Sequence, residues 1–104
     1  LKDSQMTVLF CLDKKGEIFL KEGFHELKIL PQYFWACKTG HKCFEIRQND
    51  RDFKVGDLIQ LREYKDGNYT GRCVLGRISF ITDYQQQDDY VVLNFKRLKL
   101  DQAV

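Results

Sequence analysis

A period of two runs through most of this chain and is broken once, between Pro31 and Gly40. Alternation of apolar and polar side chains suits a strand with one buried face. His25-Glu26-Leu27-Lys28-Ile29-Leu30 alternates strictly, with Leu27 and Ile29 on one face and Glu26 and Lys28 on the other. Pro31, the only proline, stops that run and suits the first position of a helix, while Gly40 suits the residue just past its end. Between them, Gln32 to Thr39 predicts a short helix whose Phe34, Trp35 and Cys37 or Lys38 form one buried stripe.

After Gly40 the period returns to two. Lys42 to Asn49 reads as a strand, with Phe44 and Ile46 turned to the core and Glu45, Arg47 and Asn49 turned away. Asp50-Arg51-Asp52 turns, Phe53 and Val55 dip back into the core, and Gly56-Asp57 turns again. Leu58 to Tyr64 is a strand, Lys65-Asp66-Gly67-Asn68 a hairpin signal, and Tyr69 to Ile81 one long or bent strand. Gly71 and Gly76 inside that strand mark bulges or a close backbone approach. Asp83 to Asp89 is a solvated loop, and Tyr90 to Phe95 a last buried strand. Upstream, Thr7 to Leu12 and Glu17 to Lys21 read as a hairpin joined by Asp13-Lys14-Lys15-Gly16. Phe10, Phe19, Phe24, Phe80 and Phe95 are expected in the core. Short strands with one or two short helices predict a mostly-β (α+β) fold, a small closed or nearly closed barrel that leaves no free sheet edge.

The 104 residues suit one domain, and 43% hydrophobic with 31% charged residues is a globular composition. A net charge of +2 gives no whole-molecule field, so a basic site must be local. No apolar run approaches the ~18 residues a membrane helix needs, and no signal peptide is visible, so the expected location is cytoplasmic. Cys11, Cys37, Cys43 and Cys73 are then expected as reduced thiols. Cys37, His41 and Cys43 offer potential zinc ligands but lack a C-x2-C knuckle and a second half, so no metal or other cofactor is expected.

The run Lys42-Cys43-Phe44-Glu45-Ile46-Arg47-Gln48-Asn49-Asp50-Arg51 holds a dense mixture of charge. Lys42, Glu45, Arg47 and Asn49 bring a point cation, an acceptor-only carboxylate, a guanidinium fork and an amide to one strand. Such a set can read a nucleobase edge or hold a phosphate. Trp35, Tyr64 and Tyr69 are available for stacking. On composition alone the simpler reading is exposed ion pairs on a solvated face, worth little. Composition leaves both readings open.

Several strings carry a resemblance. His25-Glu26-Leu27-Lys28-Ile29-Leu30-Pro31, then Gly40-His41-Lys42-Cys43-Phe44-Glu45-Ile46-Arg47, Asn49-Asp50-Arg51-Asp52-Phe53-Lys54-Val55-Gly56-Asp57 and Tyr69-Thr70-Gly71-Arg72 occur in order. Together they resemble a small bacterial and phage family of unknown function, itself similar to the ASCH domains of the PUA-like superfamily. The resemblance implies a PUA-like domain over 25–98, an added hairpin over 1–24 and a tail over 99–104. It also implies a pseudo-barrel with a cleft beside the G-x-K-x-x-E-x-R segment, filled by RNA or a nucleotide-like ligand. Lys42 and Arg47 would take the anionic part, Glu45 would accept from a base or orient Arg47, and Asn49, Asp50 and Arg51 would shape the corner. His25, Lys28 and Arg72 fall within the resembling strings and are expected to line the cleft, with Trp35 and Tyr69 as stacking partners.

One ASCH branch is an amidohydrolase of an acylated cytidine that pairs a lysine with a threonine three residues on. Here Lys42 is kept but position 45 is glutamate, which cannot be that hydroxyl nucleophile. A hydrolase centred on Lys42 and Glu45 is therefore the alternative to binding. Another is a protein-interaction domain whose N-terminal hairpin docks a partner or a second copy.

Overall fold

A computed structural model describes residues 23–99 and the backbone of 10–12 and 18–20. The expected turn at 13–16, the tail at 100–104 and the side chains of Phe10, Cys11 and Phe19 lie outside the described residues. Strands β1 (Phe10–Leu12) and β2 (Ile18–Leu20) pair antiparallel as a two-stranded sheet. The rest comprises β3 (Phe24–Ile29), α1 (Pro31–Lys38), β4 (Phe44–Gln48), β5 (Leu58–Lys65), β6 (Asn68–Thr82) and β7 (Tyr90–Leu98). Their sheet order is β3-β5-β6-β7-β4, with β3 parallel to β5 and the remaining pairs antiparallel. The fold is thus mostly β with one short helix, its sheet curled into a half-barrel. β3 and β4 are its edges, so main-chain pairing does not close it.

The helix starts where Pro31 has no amide to leave unsatisfied, with the Phe34 amide bonded to the Leu30 carbonyl at 2.8 Å. It stops at Gly40, whose φ of +86° only glycine adopts at little cost. Phe34 and Cys37 of α1 enter a core built from Leu27, Ile59, Leu61, Ile78, Leu93 and Phe95. Trp35 does not join that stripe and is 47% exposed. Residues two positions apart on a helix are about 200° apart around its axis, so Trp35 and Tyr33 leave α1 on opposite flanks of the buried face.

Strand β4 is turned the opposite way from its apolar pattern. Phe44 is 41% and Ile46 54% exposed, whereas Glu45 is 6% exposed. The register explains this: Glu45 pairs with Leu93, a fully buried residue of β7, while Phe44 and Ile46 pair with Asn94 and Val92. Side chains opposite one another share a face, so the inward run Val91, Leu93 and Phe95 of β7 fixes β4. An edge strand with one neighbour has no second vote.

Phe80 and Val55, also expected inside, are each 61% exposed. In β6 the register slips between Ile78 and Phe80, which pair with Phe95 and Asn94. That bulge at Ser79 reverses the alternation, sending Phe80 out and packing Ile81 against the core. The two glycines of β6 do as expected. Gly71 (φ +97°) sits where β6 runs three residues against Glu63 alone, and a Cβ at Gly76 would stand 2.7 Å from Cδ1 of Phe95.

Candidate nucleotide-binding site

The inward face of β4 brings together Glu45 and Arg47, joined by Lys42 from two residues before the strand. The Lys42 ammonium bonds one carboxylate oxygen of Glu45 and the Phe44 carbonyl, and Arg47 Nε donates to the other oxygen at 3.1 Å. Arg47 also donates through Nη2 to the main-chain carbonyl of Lys28. One guanidinium therefore spans from the β4 edge to the β3 edge and narrows the opening of the half-barrel.

Two adjoining cavities flank this cluster. One of about 340 Å³ lies between the edges, against Lys28, Tyr33, Glu45, Arg47 and Tyr90. The other, about 330 Å³, is lined by Tyr33, Lys42, Phe44, Glu45 and Ile46. Tyr33, Glu45 and Ile46 thus belong to both. The Lys42 ammonium lies 4.7 Å from the Phe44 ring centre and 5.6 Å from that of Tyr33. A half-sequestered ion cluster with an aromatic wall supplies acceptor, donors and a flat apolar surface in one place. Tyr33 is the residue that sequence reasoning missed. Its signal was weak: it lies outside the Phe34–Cys37 stripe and outside every string that carries the resemblance.

The remaining predicted residues fall into three other groups. His25 and Asn49 serve the frame. His25 Nε2 meets Asp57 Oδ2 at 2.7 Å, the same oxygen accepts from the Lys54 amide at 3.0 Å, and Phe53 packs edge-on against the imidazole. Asn49 Oδ1 accepts from the Phe53 amide at 3.0 Å, closing the corner that carries Asp50 and Arg51. The string Asn49 to Asp57 is thus largely a self-bonded turn that pins Phe53 in the core.

Tyr69 and Lys28 join a second group on the face of β5 opposite Glu63. Arg62 stacks 3.7 Å from the Tyr69 ring centre, Tyr69 meets Tyr64 edge-on, and the Lys28 ammonium lies 4.5 Å from the Tyr64 ring centre. Lys28 reaches the cleft through its main chain. The third group holds Trp35 and Arg72 on the far flank of α1. Arg72 bonds the buried Glu63 through Nε at 2.7 Å and Nη2 at 2.6 Å, and its guanidinium lies 5.4 Å from the Trp35 ring centre. Burial pushes the Glu63 carboxyl up, but the Thr70 hydroxyl at 2.8 Å and Arg72 outweigh it, leaving the carboxyl below its ordinary value.

Two thiols lie close to the cluster. Burial pushes the Cys37 thiol up, and Lys42 draws it only part of the way back. Cys43 donates to the Gly40 carbonyl at 3.5 Å. Among the described residues, no three His, Cys, Asp or Glu side chains are grouped to hold a metal, and no helix is long and apolar enough to cross a membrane.

Residues 24–95 match the family model described as a domain of unknown function (DUF3850). The chain belongs to this family. It is also 39% identical over 71 residues to an uncharacterized 12.9 kDa protein in the GpA 3′ region of Escherichia phage P2. That match covers 67% of this chain and 65% of the phage protein, slightly under two thirds of its length. The DUF3850 region runs from the first residue of β3 into β7 and contains the whole Lys42–Glu45–Arg47 cluster. It ends short of Arg97 and Lys99.

Proposed function

We propose that this protein is an RNA- or nucleotide-binding module whose ligand sits between the β3 and β4 edges. The observation that carries this reading is the inversion of β4. Glu45, only 6% exposed, lines both cavities and Arg47 lines one of them, while Phe44 and Ile46 take the more exposed positions around them. An ion cluster withdrawn from water rarely improves stability over an apolar packing of equal volume. Turning Glu45 inward costs desolvation, and a ligand that hydrogen-bonds the cluster gives that cost a use. A base edge meets Glu45 as acceptor and Arg47 as donor, Tyr33 offers a ring to stack on, and Lys42 attracts an anionic group. The similarity of the G-x-K-x-x-E-x-R string to ASCH domains of the PUA-like superfamily supports the same reading, as does an expected place in the cytoplasm beside RNA. The test is an NMR titration with nucleosides, nucleotides and short RNAs. Shifts centred on Lys28, Tyr33 and Lys42–Arg47 are expected; a panel that leaves those signals in place rules the proposal out.

A second reading rests on the Lys42–Glu45 contact itself, a pair able to activate water for amide hydrolysis. It predicts acid release from acylated cytidine or related amides, abolished by Lys42→Ala. Against it, Lys42 Nζ is already engaged by Glu45 and the Phe44 carbonyl.

A further inference from the structure

The far flank of α1 forms a basic and aromatic track that the β4 cluster does not use. Trp35 and Lys38, three residues apart, share one side of the helix, the side turned towards β6. Arg72 and Val74 share the inner face of β6, two residues apart and hence about 6.6 Å along the strand. Beside them a cavity of about 520 Å³ is lined by Lys38, Val74, Arg97 and Lys99 among others. The track is built, since its parts hold one another. Arg97 donates to the Lys38 carbonyl at 2.5 Å, which fixes its guanidinium at the C-terminal end of α1. Arg72 is oriented beside Trp35 by Glu63, a residue only 1% exposed. An indole 47% exposed beside a fixed guanidinium, and three helical residues from Lys38 at the cavity, has the chemistry of a stacked base followed by phosphates.

We propose that this flank takes the phosphates of a single-stranded polynucleotide and stacks one of its bases on Trp35. The strand would then pass α1 from the Tyr33 side to the Trp35 side, over a helix roughly 10 Å across, which spans more than one nucleotide. This deepens the preceding reading and rests on it for the nucleotide nature of the ligand. It makes the ligand a strand rather than a mononucleotide.

Trp35 is the only tryptophan, so its fluorescence reports on this flank alone. Octauridylate should quench it and bind at least tenfold more tightly than UMP, with a log–log salt slope of about −2 for three neutralised phosphates. UMP should shift the Arg47 signals without quenching Trp35. Lys38→Ala with Lys99→Ala, both at exposed positions, should weaken octauridylate five- to tenfold and leave UMP unchanged. Equal binding of octathymidylate also supports the track, as one indifferent to the sugar. UMP and octauridylate binding alike with Trp35 unquenched overturns it and leaves the nucleotide reading intact. Inorganic polyphosphate matching octauridylate overturns it too, because the cations would then form a patch without a base site. No response to either probe, at Arg47 or at Trp35, overturns both.

Discussion

Arg47 on one edge of the half-barrel donates to the carbonyl of Lys28 on the other, while its Nε holds Glu45. The side chain best placed to meet a ligand therefore also ties the fold across its opening. The two roles separate by measurement.

Arg47→Ala is expected to cost about 1–3 kcal/mol, since it leaves a buried carboxylate with one partner fewer. That exceeds the ±0.5 kcal/mol usual for a surface substitution. Arg47→Lys keeps a cation but cannot reach Glu45 and Lys28 together, so it should recover part of the stability and little of the proposed nucleotide binding. Urea denaturation and titration of the same samples check both. A variant that binds normally once folded would reduce Arg47 to a strut.

The outward side of β4 and β6 predicts the reverse behaviour. Phe44 and Ile46 pair with Asn94 and Val92, and Phe80 also pairs with Asn94, so these apolar side chains share the convex face. Ile46→Thr and Phe80→Ser should each cost about 1 kcal/mol or less, against about 2–5 kcal/mol for Leu93→Ala in the core. Midpoints of chemical denaturation give the comparison. A core-sized loss at Ile46 would mean that this face is covered.

How far the sequence was legible follows from which residues decide for themselves. Leu27 and Ile29, between polar neighbours on β3, carried their own pattern into the core. Pro31 and Gly40 delimited the helix through backbone sterics, which no tertiary contact overrides cheaply. Phe44 and Ile46 were read as buried because alternation shows that two faces differ, not which one is inside. The choice came from Leu93, almost fifty residues away on β7. Phe80 failed for a different reason: a bulge at Ser79 leaves no mark in the pattern. In the site, Lys42, Glu45 and Arg47 were recognisable as a set, but their inward direction, and with it Tyr33, depended on the same distant register. The side chains of Asn49 and Asp57 accept from the Phe53 and Lys54 amides of their own corner, and Asp57 also holds His25.

Gly76→Ala tests a close approach within the sheet. The added carbon would stand 2.7 Å from Cδ1 of Phe95, itself 1% exposed, so neither side gives easily. The expected loss is about 1–3 kcal/mol, as for overpacking. The pair with Phe95→Leu should be less than additive, because a shorter side chain makes room. Additive losses would place the strain elsewhere.

Glu63 supplies the pH dependence. Its carboxyl, pushed up by burial but more strongly lowered by Thr70 and Arg72, ionises more readily folded than unfolded. On acidification the unfolded chain takes up this proton first. The stabilisation is therefore complete above the ordinary glutamate range, about pH 4.3, and is lost as pH falls through the lower folded value. Glu63→Gln removes that titration while keeping the side chain's shape, so its urea midpoint should fall less steeply below about pH 4.3 than that of the wild type. It also frees Arg72 from its orienting carboxylate, and Trp35 emission should change at neutral pH where the wild type's is constant. Parallel acid limbs for the two proteins would show that Glu63 is not held ionised by its neighbours.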